Sequence, residues 1–348
     1  MLLLIHAISH LLVDAVCAAT LFGPLGQEPG LSSLVSLYSL LAFSTQCLVG
    51  LLADRFRHLR PAAAAGMLCI ALGFFLPLSA LPRVILIGLG NSVFHVAAGS
   101  LTLQNSGFRA APLGCFVAPG AIGVSLGCIL PLLGPVLALL LLAAAVISVL
   151  PMAAQRDSNS LPVTPTQPAE ISHPSAVILV LTAAVAIRAI GGVAVRFPWQ
   201  TGPLLTMLTA FFVFGGKLAG GFLCDRIGPR RSAWASVPAA AVLISFCSAW
   251  MLPALLGQFA LNLTMPITLW LLYRAIPDAP GFAFGMTASA LIPGTMAGKY
   301  LALSGPARWY FLLLCFLFGL WAILFSFPSA KALGHSSVGS TPFRRNDR

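Results

Sequence analysis

The sequence is short of charge, and shorter still of acid. Only 8% of its 348 residues are charged, and aspartate and glutamate together number eight. A soluble domain carries about a quarter charged residues, so this chain cannot cover a globular surface in water. Disorder is excluded from the other side: 59% of the residues are hydrophobic, and disordered chains are poor in them. Cysteine pairs at metal or redox spacing are missing. The eight cysteines (Cys17, Cys47, Cys69, Cys115, Cys128, Cys224, Cys247, Cys315) are scattered with no CxxC, which argues against a disulfide framework and a thiolate metal centre. No G-x-x-x-x-G-K-[ST] stretch is present, so ATP is not expected to drive this chain directly. No nucleophile–base constellation marks an enzyme, and no cofactor is expected. The first apolar run has no basic residues ahead of it and carries His6, His10 and Asp14, so a cleaved signal peptide is not expected.

What the chain has instead is long apolar runs. Read at about 20 residues per bilayer crossing, they predict twelve spans: 3–23, 31–53, 62–82, 83–103, 112–134, 135–154, 175–195, 203–224, 233–253, 254–274, 282–304 and 307–328. The fold class that follows is an all-α polytopic membrane protein, with about twelve transmembrane helices in two pseudo-symmetric six-helix halves. The N-terminal half is 1–154 and the C-terminal half 175–328. A stretch rich in Ser, Thr and Pro at 155–174 reads as a cytoplasmic linker, and 329–348 as a cytoplasmic tail. The net charge of +11 does not point to nucleic acid, because the basic residues sit in short loops and the tail between apolar runs. Arg55, Arg57, Arg60, Arg109, Arg156, Arg226, Arg230, Arg231, Arg274, Lys331, Arg344, Arg345 and Arg348 fall on one side. Arg83, Arg196, Lys299 and Arg308 fall on the other. The positive-inside rule then predicts both termini in the cytoplasm. The default placement is a bacterial inner membrane, with the bilayer as solvent and the chain as a monomer.

One short motif occurs twice. Gly50-Leu51-Leu52-Ala53-Asp54-Arg55 follows the second span, and Gly221-Phe222-Leu223-Cys224-Asp225-Arg226-Ile227-Gly228-Pro229-Arg230-Arg231 follows the eighth. Asp54 and Asp225 are 171 residues apart (225 minus 54), close to half the chain. Glycine lets helices approach closely, and an aspartate there can accept hydrogen bonds at the N-terminus of a neighbouring helix and pair with an arginine. Gly50, Asp54, Arg55, Gly221, Asp225, Arg226 and Arg230 are therefore candidate parts of a conformational latch that holds one face shut. The plainer alternative is a helix-ending turn that sets topology.

These features resemble the major facilitator superfamily, whose hallmark G-x-L-a-D-r-x-G-r-r stands between helices two and three, with a weaker copy between eight and nine. The first copy departs from it, with Arg57 at the usual glycine. The resemblance covers the whole chain and implies secondary transport by alternating access. A narrower likeness lies in Gly88-Leu89-Gly90-Asn91-Ser92-Val93-Phe94-His95 and in the intramembrane Arg188, which resemble stretches of the fosmidomycin-resistance group of efflux carriers. Pro119-Gly120-Ala121-Ile122-Gly123-Val124-Ser125-Leu126-Gly127 resembles a degraded antiporter motif of drug exporters; close helix packing through Gly123 and Gly127 is the alternative.

Ionisable groups inside a bilayer are costly and mark function by default. His6, His10 and Asp14 are spaced four apart on one helix face, as are Asn91 and His95. Counting residues along each span puts His10, Asp14, Asn91, His95, Arg188 and Asn262 near mid-depth. These six are the candidate substrate and proton site, with Arg188 as a candidate partner for Asp14. Lys217 is expected toward the cytoplasmic end of its span. The function that follows is proton-coupled efflux of a small organic compound, with small-molecule substrate and protons as partners. Proton-coupled metabolite uptake is the alternative. Divalent-metal transport along the His6/His10/Asp14 face is a further one, since histidines at i and i+4 can share an ion. No resident metal is expected.

Overall fold

The computed structural model describes residues 1–150, 171, 173–195, 197–301 and 303–327. The tail at 329–348 and nearly all of the expected linker lie outside them. All regular structure among the described residues is helical. Among the described residues nine rods are long and apolar enough to cross a membrane: α1 Leu2–Phe22, α2 Leu31–Phe56, α4 Ala80–Gln104, α5 Ala111–Ile129, α6 Pro131–Val149, α7 Pro174–Ala194, α8 Gly202–Ile227, α10 Met251–Ala275 and α12 Gly305–Phe325. Three more, α3 Leu59–Phe75, α9 Pro229–Cys247 and α11 (Pro280–Ser289 continuing as Leu291–Lys299), stand between them in sequence. Large apolar side chains such as Leu139, Leu140, Val146, Leu179 and Leu314 stay exposed on the outside. That is the surface a hydrocarbon solvent requires.

Proline accounts for two of the boundaries that differ from the sequence expectation. The third span was expected to reach residue 82 but ends at Phe75. Leu76 is extended (ψ 145°) because Pro77 follows it, and the residue before proline is pushed out of the helical region. The fifth ends at Ile129 rather than 134, since Pro131 follows Leu130. Proline also interrupts three rods. α5 breaks at Ala118 before Pro119, α10 at Leu263 before Pro266, and α11 at Ala290 before Pro293. Each proline lacks the N–H that the carbonyl four residues earlier needs. α2 carries a wide π-turn at Leu40–Ser44, where Thr45 Oγ1 donates to the Leu41 carbonyl and accepts from Ser92 Oγ of α4.

The two halves are built on the same contacts. In the first, α5 lies so close to α1 that a Cβ on Gly123 would run into the Leu11 carbonyl, and one on Gly127 into that of Ala15. In the second, Gly294 of α11 meets the Ala186 carbonyl of α7 in the same way, and Gly298 meets Val193. Lipid supplies no hydrophobic force between helices, so this close van der Waals fit carries the association.

Candidate functional site: a central cavity and two helix-end latches

Each motif aspartate grips the start of a helix from the opposite half. The Gly281 and Phe282 N–H groups, at the N-terminus of α11, donate to Asp54 Oδ1 and Oδ2 at 2.7 and 2.8 Å. The Ala110 and Ala111 N–H groups, at the N-terminus of α5, donate to Asp225 Oδ1 and Oδ2 at 2.7 and 3.0 Å. The first amides of a helix have no partner within it, and the helix dipole favours an anion there. Gly50 and Gly221 let the backbones meet: a Cβ on Gly50 would strike the Gly281 carbonyl, and one on Gly221 would lie 2.6 Å from that of Ala110. The arginine beside Asp225 is Arg109, 3.5 Å away, not one from the motif. Arg230 lies over the Phe327 ring at 4.8 Å, and Arg55 and Arg226 are exposed or half-exposed at the helix ends. The loop before α5 is held by α10 as well: Phe108 stacks on Tyr273 at 5.3 Å, and Trp270 Nε1 donates to the Phe108 carbonyl.

Above these two contacts lies a cavity of about 450 Å³ between the halves. His10, Asp14, Tyr38, His95 and Gly120 line it from the first half, and Arg188, Lys217, Met265 and Phe284 from the second. It continues past Phe22, Val35 and Cys128. These residues sit toward the helix ends away from Asp54 and Asp225, so the cavity runs away from the latched face.

The core of the site is a triangle of α1 and α4 side chains. His10 Nε2 and His95 Nε2 are 2.9 Å apart. Asp14 Oδ2 lies 3.3 Å from His10 Nε2, and Asp14 Oδ1 lies 3.6 Å from His95 Nε2. Both outer ring nitrogens face carbonyl oxygens: His10 Nδ1 that of Phe116 at 2.7 Å, His95 Nδ1 that of Asn91 at 2.9 Å. A carbonyl only accepts, so each Nδ1 bears the proton and donates it. Neutral rings in those tautomers would point two bare Nε2 lone pairs at each other. A proton or another cation between them, offset by the Asp14 carboxylate, would remove that repulsion. Asn91 Nδ2 donates to the Tyr38 hydroxyl at 3.0 Å and reaches Asp14 Oδ1 at 3.4 Å. The Asp14 side chain keeps 15% of its surface accessible and lines the cavity.

The structure thus brings His10, Asp14, Asn91 and His95 together, with Arg188 on the facing wall. Arg188 does not contact Asp14; its Nη1 donates to Thr264 Oγ1 at 3.1 Å, at the break in α10. Asn262 stays apart from the cavity lining, and its Nδ2 donates to the Gln258 carbonyl of its own helix. It was expected at the site because residue counting fixes depth along a helix but not the side it faces. Lys217, expected nearer the cytoplasm, is on the cavity wall. His6 is buried away from the triangle, beside Leu101, Thr102 and Pro112. The group whose ligand atoms converge is His10, Asp14 and His95, all within 4.8 Å. This corrects the grouping of His6 with His10 and Asp14. Tyr38, Gly120 and the Phe116 carbonyl were not anticipated. The helix break at Ala118, before Pro119, lies two residues beyond that carbonyl.

No protein-family model matches the chain, and no curated protein matches it. Solved structures do. The chain is similar to the E. coli fucose:proton symporter FucP, in a single-residue variant, at 14% identity and a TM-score of 0.69 over 94% of this chain and 98% of that one. It is similar as well to FucP described as a major facilitator superfamily transporter in the outward conformation, at 14% identity and a TM-score of 0.67 over the same shares. Polytopic, all-helical and apolar on its outer surface, the chain has the fold of the major facilitator superfamily.

Proposed function

We propose that this protein is a secondary transporter, not an enzyme, which couples a proton to the movement of a small organic anion by alternating access. The observation that carries the reading is the division of charge across one cavity. Asp14 and two histidines stand on the first half, Arg188 and Lys217 on the second. An anion bound between the cations draws the halves together, and the proton held at His10, His95 and Asp14 sets when they separate. The residues 1–154 and 175–328 are the two rocking units, and the Asp54 and Asp225 contacts are the latch for one face. That face is the cytoplasmic one if both termini are cytoplasmic, as the arginine asymmetry argues. The bacterial inner membrane and a monomer remain the proposed setting.

The direction we favour is efflux, on the likeness of the Asn91–His95 stretch to efflux carriers. Uptake with protons is the second reading, supported by the similarity to a fucose:proton symporter. Purified protein in proteoliposomes, screened with labelled carboxylates, phosphonates and neutral sugars under inward and outward pH gradients, tests both. Gradient-dependent movement of anions is expected, and the sign of the effective gradient gives the direction. Movement of neutral solutes alone, or indifference to pH, would overturn the reading.

A further inference from the structure

Histidine ligands of metal ions almost always donate their second ring nitrogen to a carbonyl or carboxylate, which fixes the tautomer and aims the free nitrogen at the ion. His10 and His95 both do this, to the Phe116 and Asn91 carbonyls. Their Nε2 atoms converge with the Asp14 carboxylate, and the three edges of the triangle are 2.9, 3.3 and 3.6 Å. An ion about 2.0–2.2 Å from nitrogen and oxygen ligands in tetrahedral array has ligand–ligand edges of about 3.3–3.6 Å; the two Asp14 edges match this, and the His10–His95 edge must open by about 0.4 Å as the ion enters. One side of the triangle opens to the cavity, leaving a position for water or an anion. We infer that His10, His95 and Asp14 form a binding site for a divalent transition-metal ion of the zinc or cobalt class.

Two nitrogens and one carboxylate suit such an ion, whereas magnesium prefers an all-oxygen octahedron. Asp14 supplies the negative charge, opposite the Arg188 and Lys217 cations on the far wall of the cavity. Gly120 keeps the site open: a Cβ there would lie 2.5 Å from both Asp14 Oδ2 and His10 Nε2. All three ligands belong to the first half of the molecule, on α1 and α4. The ion therefore binds without the halves closing, and it occupies the lone pairs that otherwise hold a proton. The inference does not depend on what the cavity carries, because binding is read on the resting protein.

The test is a cobalt titration of the full chain in detergent, purified with any affinity tag removed, followed by visible absorption. One equivalent is expected to give the intense bands of tetrahedral cobalt, displaced by zinc and untouched by excess magnesium. His10→Gln and His95→Gln are each expected to weaken binding at least about 100-fold, the upper end of what losing even an outer partner costs. His6→Gln serves as the control and leaves it unchanged. If either site variant fails to fold, the wild-type spectrum still decides. Weak octahedral bands, no saturation at one equivalent, or binding unaltered in His95→Gln would overturn the site.

Discussion

Asp54 Oδ1 lies 2.7 Å from the Gly281 nitrogen, and the same contact exists a second time between Asp225 and Ala110. The offset is constant: 225 minus 54 and 281 minus 110 both give 171. The two are one contact written in both directions, each half capping a helix of the other. A charge-assisted hydrogen bond is worth about 1.5–3 kcal/mol. Asp54→Asn, which loses the charge and turns an N–H group toward an N–H group, is expected to shift the latched face toward opening by about 10- to 100-fold. Spin labels on Arg57→Cys and Asp278→Cys in a cysteine-free background report this as a longer distance population. Asp225→Asn, read by an equivalent pair, is expected to act at least as strongly. Unchanged distance distributions in both variants would end the latch reading.

The motif's usual glycine position tells a related story. Arg57 and Gly228 again stand 171 apart (228 minus 57), and both have positive φ, 58° and 86°. Arg57 caps α2 in the left-handed helical region at ψ 10°, which a non-glycine residue occupies at about 1–2 kcal/mol. Gly228 sits at ψ 157°, a region closed to side chains. Arg57→Gly is therefore expected to leave the unfolding temperature in detergent unchanged or slightly raised. Gly228→Ala is expected to lower stability by about 1–3 kcal/mol. The reverse order would mean that the turn relaxes freely in the second copy.

Much of this was legible in the sequence because its signals run along the helix axis. Span length, the doubled Gly-x-x-x-Asp-Arg motif and the four-residue spacing of His10 with Asp14 and Asn91 with His95 all survive in a chain that is apolar on every face. What an apolar helix hides is its rotation, since no polar face marks the side toward the protein. That is why Asn262 was expected at the cavity, and why nothing in the sequence signalled that Lys217 faces it. The latch partners were hidden differently. Gly281 and Ala110 offer backbone amides, which every residue has, and only the fold sets them against aspartates 227 and 115 residues away in the chain.

The orientation is open to a direct measurement. The arginines crowd the loops on the latched side, so the segment around Ser160 and the tail around Ser336 are expected to face the cytoplasm. Single cysteines at these positions, in a cysteine-free background, should react with a membrane-impermeant maleimide only after the cells are permeabilised. Labelling of either in intact cells would invert the topology, and with it the assignment of the latched face.

The coupling prediction turns on Asp14, the one acid among the described residues that line the cavity. A carboxylate in that setting is costly unless protonated or paired, and its partners are His10 and His95. Asp14→Asn keeps the size and one acceptor but removes the charge that offsets the shared proton. It is expected to abolish accumulation or extrusion driven by a pH gradient, while substrate exchange across equilibrated membranes continues at a measurable rate. Arg188→Met and Lys217→Met should behave in the opposite way, weakening anion binding about 10-fold or more through loss of a buried charge partner while leaving the pH dependence of the residual transport in place. Exchange and gradient-driven flux measured side by side in proteoliposomes separate the two classes. Full gradient-driven transport by Asp14→Asn with an ordinary pH profile would move the coupling to His10 and His95 alone. Loss of exchange in Asp14→Asn, with the variant folded, would instead make Asp14 part of the substrate site.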